Sequence, residues 1–358
     1  MGRYLMLDIG AGTLDMLYYE TGHDLYYKAV VRSPVRELAD EIRRTSGNLL
    51  VTGSEMGGGP VSQALTERAA TATVVMTERS AATIHHDRQR VIAHGIDVVS
   101  EAEADGLKKD PRFHHLRSAD VQPDRLGRLV RSFGVPYQFD VVAVCAQDHG
   151  APPPGVSHLD FRNRMFAAAL DQNPAPQALL YRSDQVPREM TRLAVIAKDA
   201  AALPADRVYV MDSGMAAILG GAMDMLAAGK ERLLLLDVAT SHTVGAAMEA
   251  GTLCGFFEYH TRELTVARLD RLVKELCDGT IAHRRVVAEG GHGAYIRQAY
   301  GYAGVQLILV TGPRRRLVAG STLPLTFGAP WGDNMMTGTV GLLEALRLRE
   351  GLPPIHYI

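Results

Sequence analysis

The sequence predicts an α/β protein of two related lobes facing each other across a cleft, and three observations predict it. Short apolar runs ending in glycine or aspartate alternate with longer stretches of helical period. At 358 residues the chain exceeds what one hydrophobic core usually supports, so two lobes are expected. A weak internal repeat relates LMLDIGAGTLDMLYYETG (residues 5–22) to LLLLDVATSHTVGAAMEAG (residues 233–251). Each copy reads as strand, tight turn of small residues, strand, with Asp8 and Asp237 at equivalent places, so a ligand is expected between the two turns.

The elements follow in order. Strands are expected at 4–10, 25–31, 48–53, 140–146, 207–212, 232–239, 242–251 and 305–312, each an aliphatic run closed by a turn residue. Helices are expected at 34–44, 60–72, 158–170, 213–228, 264–277 and 334–348. GAPPPGVS (150–157) and DQNPAPQ (171–177) read as loops, the second near a lobe boundary. The lobes are expected to divide into 1–205 and 206–358, with the last helix returning to the first lobe.

Composition narrows the partners. A formal charge of -2, a pI near 6.7 and 22% charged residues without long blocks give no basic face for nucleic acid. Cys145, Cys254 and Cys277 are far apart and form no C-x-x-C pair, which argues for reduced thiols. The amino-terminal apolar run is broken by Asp8, and RLLLLDVA (232–239) falls well short of the roughly 20 apolar residues a membrane helix needs. A soluble cytoplasmic protein without membrane contact is expected, with room for a homodimer.

LDIGAGTLD (7–15) carries the chemistry. Gly10 and Gly12 let backbone N–H groups approach an anion, because no Cβ blocks the approach and positive φ is cheap, and Thr13 adds a hydroxyl donor. A nucleoside triphosphate suits such a turn. Asp8 and Asp237, at the ends of buried strands, are placed to hold Mg²⁺ through its waters. A dinucleotide fingerprint would need glycine where Asp15 stands and a helix where LDMLYYE reads as a strand. The plain alternative is a hairpin turn with a solvent-facing aspartate.

With these motifs on the page, the chain resembles the actin-like ATPase superfamily, which includes actin, the heat-shock chaperone ATPases and the sugar kinases. LDIGAGTLD is similar to its first phosphate motif, with Asp8, Gly10, Gly12 and Thr13 in matching places. VMDSGMAAILGGAMD (210–224) resembles the connecting helix, with Asp212 where the family often has an acidic residue near the metal and attacking water. LLLLDVATSHT (233–243) resembles the second phosphate motif, LILVTGPRRRLVAGS (307–321) the adenosine motif through Gly312, and GDNMMTGTVGLLEAL (332–346) the closing helix. The resemblance implies duplicated RNase H-like lobes around an ATP and Mg²⁺ cleft. Two departures stand out: Ala239, Thr240 and Ser241 replace the usual glycines of the second phosphate motif, with the hydroxyls of Thr240 and Ser241 able to donate to a phosphate, and Pro313 follows Gly312.

Within that superfamily, DIGAGTLDML, EMGGGP (55–60), AQDHG (146–150), YHT (259–261) and GGHGA (290–294) resemble an uncharacterised family labelled a pyruvate formate-lyase activating enzyme. That label implies radical chemistry on an iron–sulfur cluster held by three closely spaced cysteines, a spacing this sequence lacks. The activity is therefore not expected.

The acceptor side is less specific. VVAVCAQDHG (141–150) resembles the sugar-kinase strand that ends near substrate, making Gln147, Asp148 and His149 candidates, with Asp148 or Asp212 placing the nucleophile. Gly57, Gly58 and Gly59 precede a proline at a helix start, a ready anion site or an ordinary capped loop. His260 and His292 stand beside small residues of the second lobe and are candidates to line the cleft. The histidine pairs in IHHD (84–87) and FHHL (113–116) point apart and read as surface, and PRRRL (313–317) reads as a solvated helix start. The expected function is an ATP-dependent phosphotransferase acting on an unidentified small molecule or protein, either a kinase or a coupled ATPase. The alternatives are a nucleotide-switched binding protein with slow turnover, a scaffold that has lost ATP binding, and a filament-forming protein.

Overall fold

The computed structural model describes residues 2–22, 25–153 and 155–357; the loop expected at 150–157 includes Pro154, which lies outside them. Strand β1 (Arg3–Ile9) is apolar on both faces because it runs through the middle of the first sheet. It turns back through Ala11 and Gly12 into β2 (Thr13–Glu20), and β3 (Leu25–Arg32) follows antiparallel to β2. The chain then leaves this sheet for α1 (Pro34–Arg44) and an inserted layer. That layer holds β4 (Asn48–Gly53), α2 (Gly59–Ala69), β5 (Val74–Thr77), α3 (Glu78–Ala81), α4 (Arg88–Ile92), β6 (Ile96–Val99), α5 (Glu101–Leu107) and β7 (Phe113–Ser118). Its four strands pair in parallel in the order β6-β5-β4-β7 around their own apolar core, which includes Leu49, Val51, Leu65 and Met76.

After α6 (Pro123–Ser132) the chain returns to the first sheet. There β8 (Phe139–Ala146) pairs in parallel with β1. Helix α7 (His158–Gln172), the short edge strand β9 (Leu180–Arg182) and α8 (Thr191–Ala200) lead to β10 (Ala205–Asp212), parallel to β8. The full order is β3-β2-β1-β8-β10-β9.

Helix α9 (Ser213–Ala222) crosses to the second sheet, formed by β11 (Arg232–Val238), β12 (His242–Glu249), β13 (Thr252–His260), β14 (Gly291–Ile296), β15 (Leu307–Thr311) and β16 (Leu325–Phe327). Its order is β14-β13-β12-β11-β15-β16. Strands β11, β12, β13, β15 and β16 repeat the connectivity of β1, β2, β3, β8 and β10: three antiparallel strands, then two parallel ones on the other side of the first. The protein is thus an α/β fold of two duplicated RNase H-like, actin-like ATPase lobes. Helix α10 (Val266–Cys277) covers the second sheet through Leu269, Leu272, Val273 and Leu276, and α11 (His283–Ala288) packs beside β14.

The lobes meet along α9 and α12 (Thr337–Glu350). Here two backbones touch directly: a Cβ on Gly220 would lie 1.8 Å from the Thr337 carbonyl oxygen, and one on Gly341 would lie 1.8 Å from that of Ala216. Helix α12 also packs on β1 and β8. Strand β10 hydrogen-bonds to β8 and carries the first sheet on to Asp212. The helix expected over 213–228 stops at Ala222, where Asp224 turns the chain by accepting hydrogen bonds from the N–H groups of Leu226 and Ala329. Of the loop expected at 171–177, only 173–175 is irregular, because Asp171 and Gln172 end α7 and Pro176 opens a 3-10 turn; the Pro174 carbonyl accepts from Leu253 N–H of β13. Among the described residues no helix is long and apolar enough to cross a membrane.

A methyl group has no place between α9 and α12. Gly220→Ala and Gly341→Ala should each lower stability by about 1–3 kcal/mol or more, read as a shift in the urea midpoint at unchanged slope. Gly106→Ala, on α5 where an added Cβ meets nothing within 4 Å, should be neutral or mildly stabilising.

Candidate functional site

Two turns face each other across the lobes and are built alike. In the first, Gly10 N–H donates to the Thr13 carbonyl at 3.0 Å; in the second, Ala239 N–H donates to the His242 carbonyl at 3.1 Å. Each turn is held by one buried hydroxyl residue. Ser33, the N-cap of α1, donates its Oγ to the Gly10 carbonyl at 2.6 Å and its N–H to that of Gly12 at 3.1 Å. Thr261 donates its Oγ1 to the Ala239 carbonyl at 2.8 Å and its N–H to that of Ser241 at 2.8 Å. The match pairs Asp8 with Asp237, Gly10 with Ala239, Gly12 with Ser241 and Thr13 with His242. The turns also touch, since a Cβ on Gly12 would come 3.1 Å from the Thr240 side chain.

Behind the turns lies a group of carboxylates. Asp8 and Asp15 are paired across β1 and β2, and Asp15 is 6% exposed with one carboxylate oxygen lacking any hydrogen-bond partner. Burial raises both above the ordinary carboxylate range. Cys145, hydrogen-bonded to Asp8, opposes the rise there, while Asp237 and Asp212 add to it. Asp237 is pushed up to about 6 by burial, with the hydrogen bond from Thr311 Oγ1 at 2.9 Å pulling the other way. Gly312 follows Thr311, and its carbonyl accepts from Asn334 Nδ2 at 3.2 Å just before α12. The first turn of α12 abuts Asp8, because a Cβ on Gly338 would collide with its Oδ2.

One arginine joins the lobes. Arg162 of α7 is buried, donates through Nη2 to Asp212 Oδ2 at 2.9 Å, and makes a second ion pair through Nη1 with Glu258 of β13. Its Nε donates to the Asp148 carbonyl at 3.0 Å. Burial works against the Glu258 charge, but Arg162 holds that carboxyl well below its usual range. At Asp212 burial outweighs Arg162 and the carboxyl rises. Glu258 also accepts from Gln147 Nε2 and lies 3.4 Å from His292 Nδ1.

Four histidines gather beside Glu258. The ring centres of His149 and His292 are 5.3 Å apart, those of His242 and His292 4.6 Å, and His260 Nε2 is 3.0 Å from His292 Nε2. Burial first, then the Arg162 charge, pushes His149 well below its ordinary value. Burial likewise pushes His242 down to about 3.

The predicted residues thus divide. Asp8, Gly10, Gly12 and Thr13 meet Asp237, Thr240, Ser241 and Gly312 at the turns, while Gln147, His149, His260 and His292 converge on Glu258. Asp148 was expected to place a nucleophile, yet its oxygens accept from the N–H groups of Gly150 at 2.7 Å and Leu193 at 2.9 Å. It therefore braces the strand-end loop. Asp212, the other such candidate, caps α9 through Met215 N–H at 3.1 Å and pairs with Arg162, so it acts by position and charge. Gly57 packs beside Val35 and Arg192, where an added Cβ would collide with both. Gly57 N–H donates to Asp120 Oδ1 at 3.3 Å, and Asp120 binds Arg192, whose Nη1 donates to the Gln147 carbonyl at 2.7 Å. Sequence reasoning missed Ser33, Arg162, His242, Glu258 and Thr261. His242 carried a signal, at the place of Thr13 in the repeat, and Thr261 lay within the segment YHT (259–261).

No curated protein matches the sequence. Among solved structures the chain is similar to a ROK hexokinase from Thermus thermophilus, 13% identical over 98% of this chain and 100% of that one, with a TM-score of 0.32. It is also similar to a ROK family glucokinase from Streptomyces griseus in complex with glucose and AMPPNP, 11% identical over 98% and 100%, with a TM-score of 0.32. The ethanolamine utilization protein EutJ from Carboxydothermus hydrogenoformans is 10% identical over 97% and 90%, with a TM-score of 0.33. The fold assignment rests on the strand order of the two sheets. A family model matches residues 56–317, and by it the chain belongs to the family described as "Putative pyruvate format-lyase activating enzyme (DUF1786)".

Proposed function

We propose that the chain binds ATP with Mg²⁺ between its two lobes and transfers or releases the terminal phosphoryl group. The observation that carries this reading is the matched pair Asp8 and Asp237 behind two like turns. The donor set suits the ion: hard carboxylate oxygens, one of them on Asp15 buried without a partner, are what Mg²⁺ selects. Asp8 and Asp237 would hold the ion, which when bound neutralises charge on the transferring phosphoryl group. The N–H group of Gly12, with Thr13, Thr240 and Ser241, would take the phosphate oxygens, while Gly10, whose N–H is held by the Thr13 carbonyl, would shape the turn, and Gly312 would pass the adenosine. Asp212, fixed by Arg162, would orient the attacking oxygen by charge.

The two turns lie close, since a Cβ added at Gly12 would come 3.1 Å from the Thr240 side chain, and a phosphate between them would draw on the spacing of the lobes. This favours one second reading, a nucleotide-switched binding protein in which parting of the lobes is the output and turnover is slow. Activation of pyruvate formate-lyase is not our reading. Cys145 lies in β8, Cys254 in β13 and Cys277 at the end of α10, all buried with thiol pKa values raised by burial. They offer no three-thiolate cluster site.

Calorimetric titration with ATP and Mg²⁺ tests the proposal. Wild type should bind, and Asp8→Asn should weaken binding at least about tenfold, because the isosteric amide removes the charge that holds the ion. The same variant should be more stable than wild type, since it removes a buried charge. Failure of wild type to bind overturns the reading, and phosphate release then separates enzyme from switch.

Stability should also depend on pH with a definite sign. Asp8, Asp15 and Asp237 bind protons more tightly folded than unfolded, so their contribution is full below the unfolded value of 3.8 and is lost as pH rises through about 6 for Asp237 and higher for the other two. His149 and His242, held low by burial, act in the opposite sense and cost stability as pH falls through 6.5. The carboxylate share is therefore read against Asp8→Asn: without divalent cations, the variant's gain in thermal transition temperature over wild type should be larger at pH 8 than at pH 5.

A further inference from the structure

We propose a second, softer metal site at the interlobe cleft: a borderline divalent cation, Zn²⁺ or a near relative, held by His149, His242 and His292. Each of the three offers a ring nitrogen, and these nitrogens lie within 4.8 Å of one another. Three zinc–nitrogen bonds of about 2.0–2.1 Å in tetrahedral array require roughly 3.4 Å between nitrogens, a gap that small ring rotations close.

Two of the nitrogens need a partner. His242 Nε2 and His292 Nδ1 are buried and make no hydrogen bond, although burying an imidazole nitrogen without one is costly. His292 is 8% exposed, and its Nδ1 lies 3.4 Å from Glu258 Oε1 without the alignment of a hydrogen bond. The rings are also held in place. Ser241 Oγ is 2.9 Å from His242 Nδ1, and His260 Nε2 is 3.0 Å from His292 Nε2. Both contacts occupy the nitrogen remote from the unpartnered one, as ligand-orienting partners do.

Of the charges that face the cluster, Glu258 attracts a cation and offsets the guanidinium of Arg162, which is itself paired with Glu258 and Asp212. Neutral imidazoles select zinc-like ions over Mg²⁺, so this site is chemically separate from the carboxylates behind the turns. Three protein ligands leave a fourth position for water or an oxygen of the acceptor. The inference does not depend on nucleotide binding.

The test uses the full chain without nucleotide. Chelator-treated protein is titrated with Zn²⁺, and Co²⁺ is added separately as a spectroscopic probe. One tight equivalent of zinc and the intense visible bands of tetrahedral cobalt are expected. His242→Gln and His292→Gln should each weaken zinc binding at least about tenfold, while His114→Gln, on the exposed face of β7, should not. Absence of tetrahedral cobalt bands in wild type, which needs no variant to fold, overturns the site. So does wild-type zinc affinity in either cluster variant with a native thermal transition.

Discussion

Arg162 is the interaction on which the geometry of the cleft depends. Its guanidinium is buried and reaches one carboxylate from each lobe, Asp212 at the end of β10 and Glu258 on β13. A buried charge is tolerable only when fully paired, and here the pairing needs both lobes at once. The fork geometry of the guanidinium fixes direction as well as distance. Glu258 then anchors Gln147 and stands beside His292, while the Arg162 Nε holds the carbonyl of Asp148 and with it the loop that carries His149. Arg162 thus helps to place the histidine cluster, together with Asn163, whose Nδ2 donates to the Ala294 carbonyl on the strand that carries His292.

Duplication supplies the rest of the frame. A hydroxyl residue after the third strand of each lobe, Ser33 or Thr261, fastens the turn between the first two strands by the same pair of hydrogen bonds. The fastening has been kept while the turn residues diverged. The first turn carries Gly10 and Gly12, whereas the second carries Ala239 and Ser241 and places an imidazole, His242, where the first has Thr13. In both, the N–H of the first turn residue is closed onto the carbonyl three residues on, Gly10 onto Thr13 and Ala239 onto His242.

The sequence made the frame legible because strand runs, turn residues and the repeat are local signals. Strands β1, β8, β10, β11 and β12 are long and apolar, and each is legible within a residue or two. The inserted sheet was mostly hidden. β5 has only four residues, VVMT, and β7 reads FHHLRS with its outward face polar, so neither offers a run long enough to separate strand from loop. Strands β13 and β14 were missed for a different reason: TLCGFFEYH and GHGAYI are interrupted by glycines, where Phe257 packs over Gly245 and Tyr295 pairs beside Gly255. The candidate site was legible in its turns and only in pieces elsewhere. His149, His260 and His292 could be singled out, but nothing local joins them, because their meeting depends on β8, β13 and β14 converging. Arg162 gave no signal at all, being one charge on a helix of ordinary composition.

The cleft consequently has two chemically different halves joined by a chain of charge. Asp8, Asp15 and Asp237 form an acidic half whose members resist ionising together, a state that a hard cation relieves. His149 and His242, with Glu258 behind them, form a half in which burial keeps imidazoles neutral and so available as ligands. Asp212 belongs to both: its charge raises Asp8 on one side, and its pair with Arg162 reaches Glu258 and the histidines on the other. Any event that draws charge to the acidic half alters the load on Asp212, and hence how fully Arg162 is shared with Glu258. Parting the turns at Gly12 and Thr240 would pull on that same shared arginine, since its two carboxylates sit on different lobes. Arg162 shares this bridging with other residues of α7, since Asn163 donates to the Ala294 carbonyl, Asp160 pairs with His283 and Asp171 accepts from the Tyr295 hydroxyl.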